Sequence, residues 1–211
     1  MLTVTGLSRS FNRRLVFRDL TFSVASPGSL AVTGKNGAGK STLVKILAGI
    51  ASPTNGTVAY TANGGVVSPD AMRERLGFVS SYLNLYDEFT ARENLSILGR
   101  IRTGAVPTEQ SVADALHRVD LWQRRDDLVS SFSSGMTQRL KYALAILHVP
   151  EVLILDEPTA NLDTDGIELV KEIVRFQQRQ GILIVATNDE EESSWCLDRV
   201  HLAGRGTDTP S

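Results

Sequence analysis

GKNGAGKST, residues Gly34 to Thr42, decides how this chain is read. It fits the phosphate-binding pattern G-x-x-x-x-G-K-[ST] at every defined position: Gly34, Gly39, Lys40 and Ser41. The preceding run, Leu30-Ala31-Val32-Thr33, reads as a short buried strand. The following run, Leu43 to Ala48, reads as the first turns of a helix stopped by Gly49. In that setting the loop works by aiming backbone N–H groups and a helix N-terminus at phosphate oxygens. The glycines permit close backbone approach, Lys40 reaches the β- and γ-phosphates, and the Ser41 hydroxyl ligates Mg²⁺. A plain glycine-rich turn ahead of Lys-Ser is the competing reading, and the flanking strand and helix argue against it. The stretch predicts binding of a nucleoside triphosphate.

The chain has 211 residues, enough for one large domain or one domain with an inserted subdomain. Hydrophobic residues make up 42% and charged residues 22%, as in an ordinary globular protein. A net charge of -2 argues against a dedicated nucleic-acid surface, so no direct nucleic-acid partner is expected. Cys196 is the single cysteine, which excludes an internal disulfide and fits a reducing compartment. The N-terminal stretch lacks the apolar core of a signal peptide. No run approaches the about 20 apolar residues that span a bilayer, so a membrane role is expected only through a partner chain.

Working outward, residues 1 to 30 alternate in a β-like way, with turns at Asn12-Arg13-Arg14 and Ser26-Pro27-Gly28. An antiparallel region therefore feeds the strand that carries the loop. Residues 52 to 80 are again rich in strands and turns, punctuated by Pro53, Asn55-Gly56, Asn63-Gly64-Gly65 and Ser68-Pro69. From 82 to 150 the spacing becomes helical, through Leu95, Ile97, Leu98 and Ile101, then Val112, Ala115, Leu116 and Val119, then Gln138 to His148. This is read as an inserted helical subdomain in a single 1–211 domain whose nucleotide-binding core comprises 1–81 and 151–211. From 151 the buried parallel strands return, Val152 to Leu155 and Ile182 to Ala186, separated by a helix. The tail after Gly204 reads as frayed.

Two further stations carry chemistry. The apolar run Val152 to Leu155 ends in Asp156-Glu157-Pro158-Thr159. A carboxylate at the end of a strand beside a phosphate loop is placed to hold Mg²⁺, and Glu157 is placed to orient and deprotonate an attacking water. Upstream, Phe132-Ser133-Ser134-Gly135-Met136 precedes a helix. A Ser/Gly-rich turn there is a second anion site in waiting or an ordinary N-cap.

Phosphate loop, Ser-rich turn, Asp-Glu-Pro-Thr and then Ala160-Asn161-Leu162-Asp163, in this order, resemble the nucleotide-binding domain of ABC ATPases. The resemblance runs from Phe11 to about Leu202. It implies an α/β, P-loop NTPase fold of the ABC ATPase type, with an antiparallel β subdomain and an inserted helical subdomain. It implies ATP as substrate and Mg²⁺ as cofactor, with nucleotide contacts from Gly34, Asn36, Gly37, Ala38, Gly39, Lys40, Ser41 and Thr42. Phe11, which taken alone reads rather as cover for a sheet edge than as a base-stacking residue, takes the place of the family's adenine-stacking aromatic. Residues 132 to 136 are similar to the family signature LSGGQ, with Ser134 in place of a usual glycine. Ser133, Ser134, Gly135 and Met136 would meet the γ-phosphate held by a second ABC ATPase chain, identical or related. Twofold pairing closes such a contact, and ATP acts as the glue.

Two positions depart from the family pattern. Aligning Leu76-Gly77-Phe78-Val79 places Ser81 where a metal-sensing glutamine is usual, and no glutamine lies between residues 43 and 109. The strand Ile182 to Ala186 runs into Thr187-Asn188-Asp189, which places Asn188 where a histidine is usual. His117, His148 and His201 lie elsewhere and read as structural or surface residues. Asn188 can donate a hydrogen bond to phosphate but carries no proton-linked charge. The expectation is intact ATP binding with slowed or partner-dependent hydrolysis. The stretch Tyr82 to Phe89 is either a groove for a membrane subunit or part of the helical core. The resemblance implies the ATPase subunit of an ABC transporter, compact like haem-exporter ATPases. Such a subunit lies on the cytoplasmic face of the membrane through a separate permease. A soluble ABC ATPase without a transport role and a nucleotide-gated binding module are the alternatives.

Overall fold

The computed structural model describes residues 1–12 and 14–203. Two sheets are built from nine strands among these residues. Strands β1 (Leu2–Phe11), β2 (Arg14–Val24), β4 (Asn55–Ala62) and β5 (Gly65–Val66) form an antiparallel sheet in the order β2-β1-β4-β5. Strands β3 (Gly28–Thr33), β6 (Leu76–Val79), β7 (Val152–Asp156), β8 (Ile182–Thr187) and β9 (Asp198–His201) form a parallel sheet in the order β6-β7-β8-β3-β9.

The unbroken apolar runs of β7 and β8 follow from burial on both faces of the parallel sheet. Successive side chains point to opposite faces. Val152, Ile154, Ile182, Ile184 and Ala186 join one cluster with Leu2, Val4, Leu7 and Tyr60 of the antiparallel sheet. Helix α1 (Lys40–Leu47) supplies Leu43, Val44, Ile46 and Leu47 to the same cluster. The Tyr60 hydroxyl donates to the Leu47 carbonyl at 2.9 Å, tying that sheet to the end of α1. Leu153, Leu155, Leu183 and Val185 point the other way, into a second cluster. There they meet α3 (Ala91–Thr103), α4 (Glu109–Arg118), α5 (Ser134–Ile146) and α6 (Thr164–Gln180).

Local chemistry sets the helix ends. Thr90 and Glu93 form a reciprocal capping box at the start of α3, and Gly104 at φ 73° ends it. Thr108, Ser133 and Asp163 cap α4, α5 and α6 through side-chain acceptors. Two short helices escaped the sequence reading. Ser68-Pro69 opens α2 (Pro69–Arg75), where the serine caps and proline sits in the first turn; the pair had read only as turn punctuation. Asp189 caps α7 (Glu190–Ser194), too brief to show periodicity. Gly49, at φ 71°, follows α1 as expected. The turn expected at Asn12-Arg13-Arg14 includes Arg13, and the tail from Gly204 onward, expected to be frayed, also lies outside the described residues.

His148 lies between α5 and β7. Burial, with the Arg102 guanidinium as a second cause, pushes its imidazole down to about 4. The unfolded chain protonates this group near pH 6.5 while the folded chain refuses the proton until about 4. Stability present above that window is therefore lost as pH falls through it. Chemical denaturation from pH 6.5 to 4 should give a steeper loss for the wild type than for His148→Gln, and parallel slopes would refute this account.

Candidate nucleotide-binding and catalytic site

Parallel pairing gathers the chemistry at one edge. Thr33 lies in register with Thr187 and with His201, Leu155 with Val79, and Asp156 with Ala186. The phosphate loop, Asp156-Glu157, Asn188 and the Ser80-Ser81 turn therefore all leave the carboxyl ends of strands. That is where ligands bind in open parallel sheets.

The loop is packed from several sides. Gly34, at φ 145°, has no room for a side chain, since a Cβ would lie 2.5 Å from the Leu202 carbonyl oxygen. Gly39, at φ 104°, would bring a Cβ to 2.4 Å from Val16 Cγ1, so β2 presses directly on the loop. Gly37, at φ 79°, faces open space. Lys40 is 5% exposed, and its Nζ donates to the Gly34 carbonyl at 2.9 Å and the Lys35 carbonyl at 3.4 Å. Its charge is held inside the loop's own curve. Ala38 is buried, Asn36 is exposed, and Thr42 is half-buried in the first turn of α1.

Ser41 Oγ donates to Asp156 Oδ1 at 3.1 Å, joining the head of α1 to the end of β7. A hydroxyl and a carboxylate are hard oxygen donors that suit Mg²⁺, an ion that takes one or two protein ligands and fills its remaining positions with phosphate and water. Glu157 follows at φ 54°, exposed, its N–H bonded to the Ala186 carbonyl at 2.9 Å. Ser81 is exposed in the turn after β6, and no hydrogen bond joins it to Ser41 or Asp156 among the described residues.

Asn188 is exposed, and its amide Nδ2 donates to Asn36 Oδ1 at 3.1 Å, so the end of β8 is tied to the phosphate loop. Asn36 and Asn188 line a cavity of about 420 Å³ together with Lys35, Arg199 and His201. His201, read from sequence as a structural or surface residue, is exposed but sits on this cavity, its Nδ1 3.1 Å from Thr33 Oγ1. Only the register of β9 against β3 brings it there, and no local motif marks it.

The other expected residues come from the end of β1 and the head of α5. Phe11 ends β1, 48% exposed, with the Arg9 guanidinium 4.2 Å from its ring centroid. Ser133 caps α5, its Oγ accepting from the Met136 N–H at 3.2 Å. Ser134 is exposed, and Gly135 and Met136 are half-buried. None of the four hydrogen-bonds to the phosphate loop among the described residues.

Desolvation raises the Asp156 carboxyl above its ordinary value, the Ser41 hydrogen bond opposing it and the Glu157 charge adding to it. The folded chain then holds this proton more tightly than the unfolded one, so its ionisation destabilises the fold as pH rises through the carboxylate range. Asp156→Asn removes that charge, so it should raise the Tm of the protein melted without nucleotide. Thermal melts at neutral pH measure this, and a lower Tm refutes it.

The ABC transporter family model matches residues 17–160. A Nod factor export ATP-binding protein I from Bradyrhizobium diazoefficiens is 35% identical over 94% of this chain and 66% of its own length. The linearmycin resistance ATP-binding protein LnrL of Bacillus subtilis is 29% identical over 98% of this chain and 67% of its own. This chain thus spans about two thirds of the length of these relatives. A solved ATP-binding subunit of an ABC transporter superposes with a TM-score of 0.83 at 27% identity, covering 96% of this chain and 86% of its own. A dimeric ATP-binding cassette bound to ADP and Pi superposes at 0.84 with 21% identity, over 96% and 94% of the two chains, and shares the fold. Motif order, the parallel sheet with its loop, and the family match agree: this chain belongs to the ABC transporter family.

Proposed function

We propose that the chain is the ATP-binding and ATP-hydrolysing subunit of an ABC transporter, working on a separate membrane permease through ATP-driven pairing of two such subunits. The observation that carries this reading is the Ser41–Asp156 contact of 3.1 Å at the mouth of the phosphate loop, with Lys40 inside the loop and Glu157 next in line. Loop N–H groups and the N-terminus of α1 receive the phosphates, and Lys40 exchanges its carbonyl partners for phosphate oxygens. Ser41 and Asp156 would hold Mg²⁺, with Ser81 the third expected contributor, and the ion would supply positive charge against the phosphate oxygens. Glu157 orients water and takes its proton as the water oxygen bonds to the γ-phosphorus and the bond to the ADP oxygen breaks. Asn188 positions phosphate by a hydrogen bond, and Phe11 stacks on the base.

Ser133 to Met136 complete the site of a partner ATPase chain, and among the described residues none of them hydrogen-bonds to the loop of its own chain. The segment 82–89 supplies the permease contact. Tyr82, Tyr86 and Phe89 are exposed, and the last two pack edge-to-face with centroids 5.6 Å apart. Leu83 and Leu85 turn inward onto the second core cluster. The segment thus has an inward apolar side and an outward aromatic side, and the outward side supports the docking reading. No helix among the described residues is long and apolar enough to cross a membrane. On the proposed reading the subunit attaches to the cytoplasmic face of the membrane through its permease.

Glu157→Gln tests it. With ATP and Mg²⁺ the variant should form a stable ATP-bound dimer by size-exclusion chromatography with light scattering. A variant that stays monomeric favours a nucleotide-gated binding module instead.

The altered positions Ser81 and Asn188 predict slow turnover. Positioning and acid–base groups contribute about 100-fold or more to rate. Asn188→His combined with Ser81→Gln should therefore raise steady-state kcat by about tenfold or more. An unchanged kcat overturns the explanation for slow turnover.

A further inference from the structure

Glu192, in α7, is 5% exposed, although a carboxylate is costly to bury. Its Oε1 accepts two hydrogen bonds, from the Thr159 N–H at 3.1 Å and from the Thr159 hydroxyl. Thr159 lies two residues beyond Glu157. The preceding residue is tied in the other direction: the hydroxyl of Tyr142, fully buried in α5, donates to the Pro158 carbonyl at 2.7 Å. The turn that follows closes on itself through Leu162 N–H to the Thr159 carbonyl at 3.1 Å. It carries Asn161 at φ 64°, whose carbonyl oxygen is 3.4 Å from where a Cβ on Gly135 would sit.

The other end of α7 is anchored to the sensing position. Asp189 caps α7 by accepting from the Glu191 N–H at 2.7 Å and the Glu192 N–H at 3.1 Å. The Asp189 N–H in turn donates to Thr187 Oγ1 at 2.9 Å, which fixes the backbone on both sides of Asn188. One buried carboxylate therefore joins three parts: the segment after Asn188, the turn after Glu157, and, through Pro158 and Tyr142, the helix headed by Ser133.

We propose that Glu192 is a positioning residue for hydrolysis. It holds residues 158–162 in register with α7, so that the state of Asn188 sets the placement of Glu157 and of the turn facing Gly135. Its stabilisation comes from two neutral donors on one residue, so an accepting oxygen at this place is what the role needs. Gln keeps that oxygen and Ala removes it. The proposal rests on the hydrolytic reading above, and one of its two readouts is independent of turnover.

Glu192→Ala, Glu192→Gln and Thr159→Val are compared with wild type for ATP affinity, steady-state kcat and hydrogen exchange across residues 158–162. Glu192→Ala should keep ATP affinity within about threefold and lose about tenfold or more in kcat, less than the about 100-fold of a group that itself acts on the proton, because Glu192 acts through Glu157. Its Thr159–Leu162 amides should lose protection. Glu192→Gln should return kcat to within about threefold of wild type, and Thr159→Val, which keeps the backbone donor, should fall between. An unchanged kcat in Glu192→Ala, or a Glu192→Gln as slow as the alanine variant, overturns the positioning role. If Glu192→Ala does not fold, Thr159→Val decides the same question by its kcat and exchange. If wild type itself turns over no ATP, the hydrolytic reading fails by that result alone, and unchanged exchange in the variants separately overturns the Glu192 proposal.

Discussion

The parallel alignment of β3, β7 and β8 is the constraint on which everything else depends. Because the three strands run the same way in continuous register, their carboxyl ends finish at one edge, and the phosphate loop, Asp156 and Asn188 emerge side by side. Register here is fixed by burial: a slip of one residue would send Leu153 and Leu155 into the cluster of α1, and Val152 and Ile154 into that of α5. The antiparallel sheet then presses on the loop from β2, where Val16 leaves no room for a side chain at Gly39. The loop's shape is thus imposed by tertiary packing as much as by its glycines.

That packing gives the loop a particular electrostatic state. Lys40 is buried and satisfied by carbonyls of its own loop, while Asp156 is buried with a neutral hydroxyl as its hydrogen-bond partner. A cation and a carboxylate lie near one another without pairing, each held by dipoles. Burial raises the carboxyl, and the lysines Lys45 and Lys40 only partly offset it. Such an arrangement is unfavourable for the free fold and favourable for a ligand that brings negative phosphate to the lysine and a cation to the carboxylate. Binding and stability pull against each other at Asp156, which is how sites built for charged ligands commonly stand.

How much of this was legible in sequence depended on how local the cause was. The phosphate loop, its strand and its helix occupy one stretch, and α3, α4 and α6 show their period directly, whereas α5, buried continuously from Tyr142 to Ile146, shows itself only by its Leu, Ala and Ile content. The pairing of Ser41 with Asp156 is remote in sequence, yet each residue sits in its own motif. Helices α2 and α7 were missed because a cap and a few residues carry no period. His201 and Glu192 were missed for a stronger reason. The first reaches the cavity only because β9 pairs with β3, and the second matters only because α7 folds back over the turn after Glu157. A lone histidine and one glutamate among three in a row carry no signal until the chain is closed. Residues 82–89 read as ambiguous because the segment is double-sided, with leucines inward and aromatics outward.

The most specific feature of this chain is the amide at position 188. An imidazole there can change charge as phosphate charge develops, whereas an amide offers a fixed dipole. In this fold that dipole is used on Asn36, so position 188 and the loop are joined by a neutral hydrogen bond. A phosphate that recruits Asn188 must replace this bond rather than add to nothing. The net gain is then the difference between a charge-assisted and a neutral hydrogen bond, smaller than either alone. Under the proposed function Lys40 would make the same kind of exchange but bring a full charge to it. The loop would then bind phosphate strongly while position 188 discriminated its state weakly, separating occupancy of the site from commitment to hydrolysis.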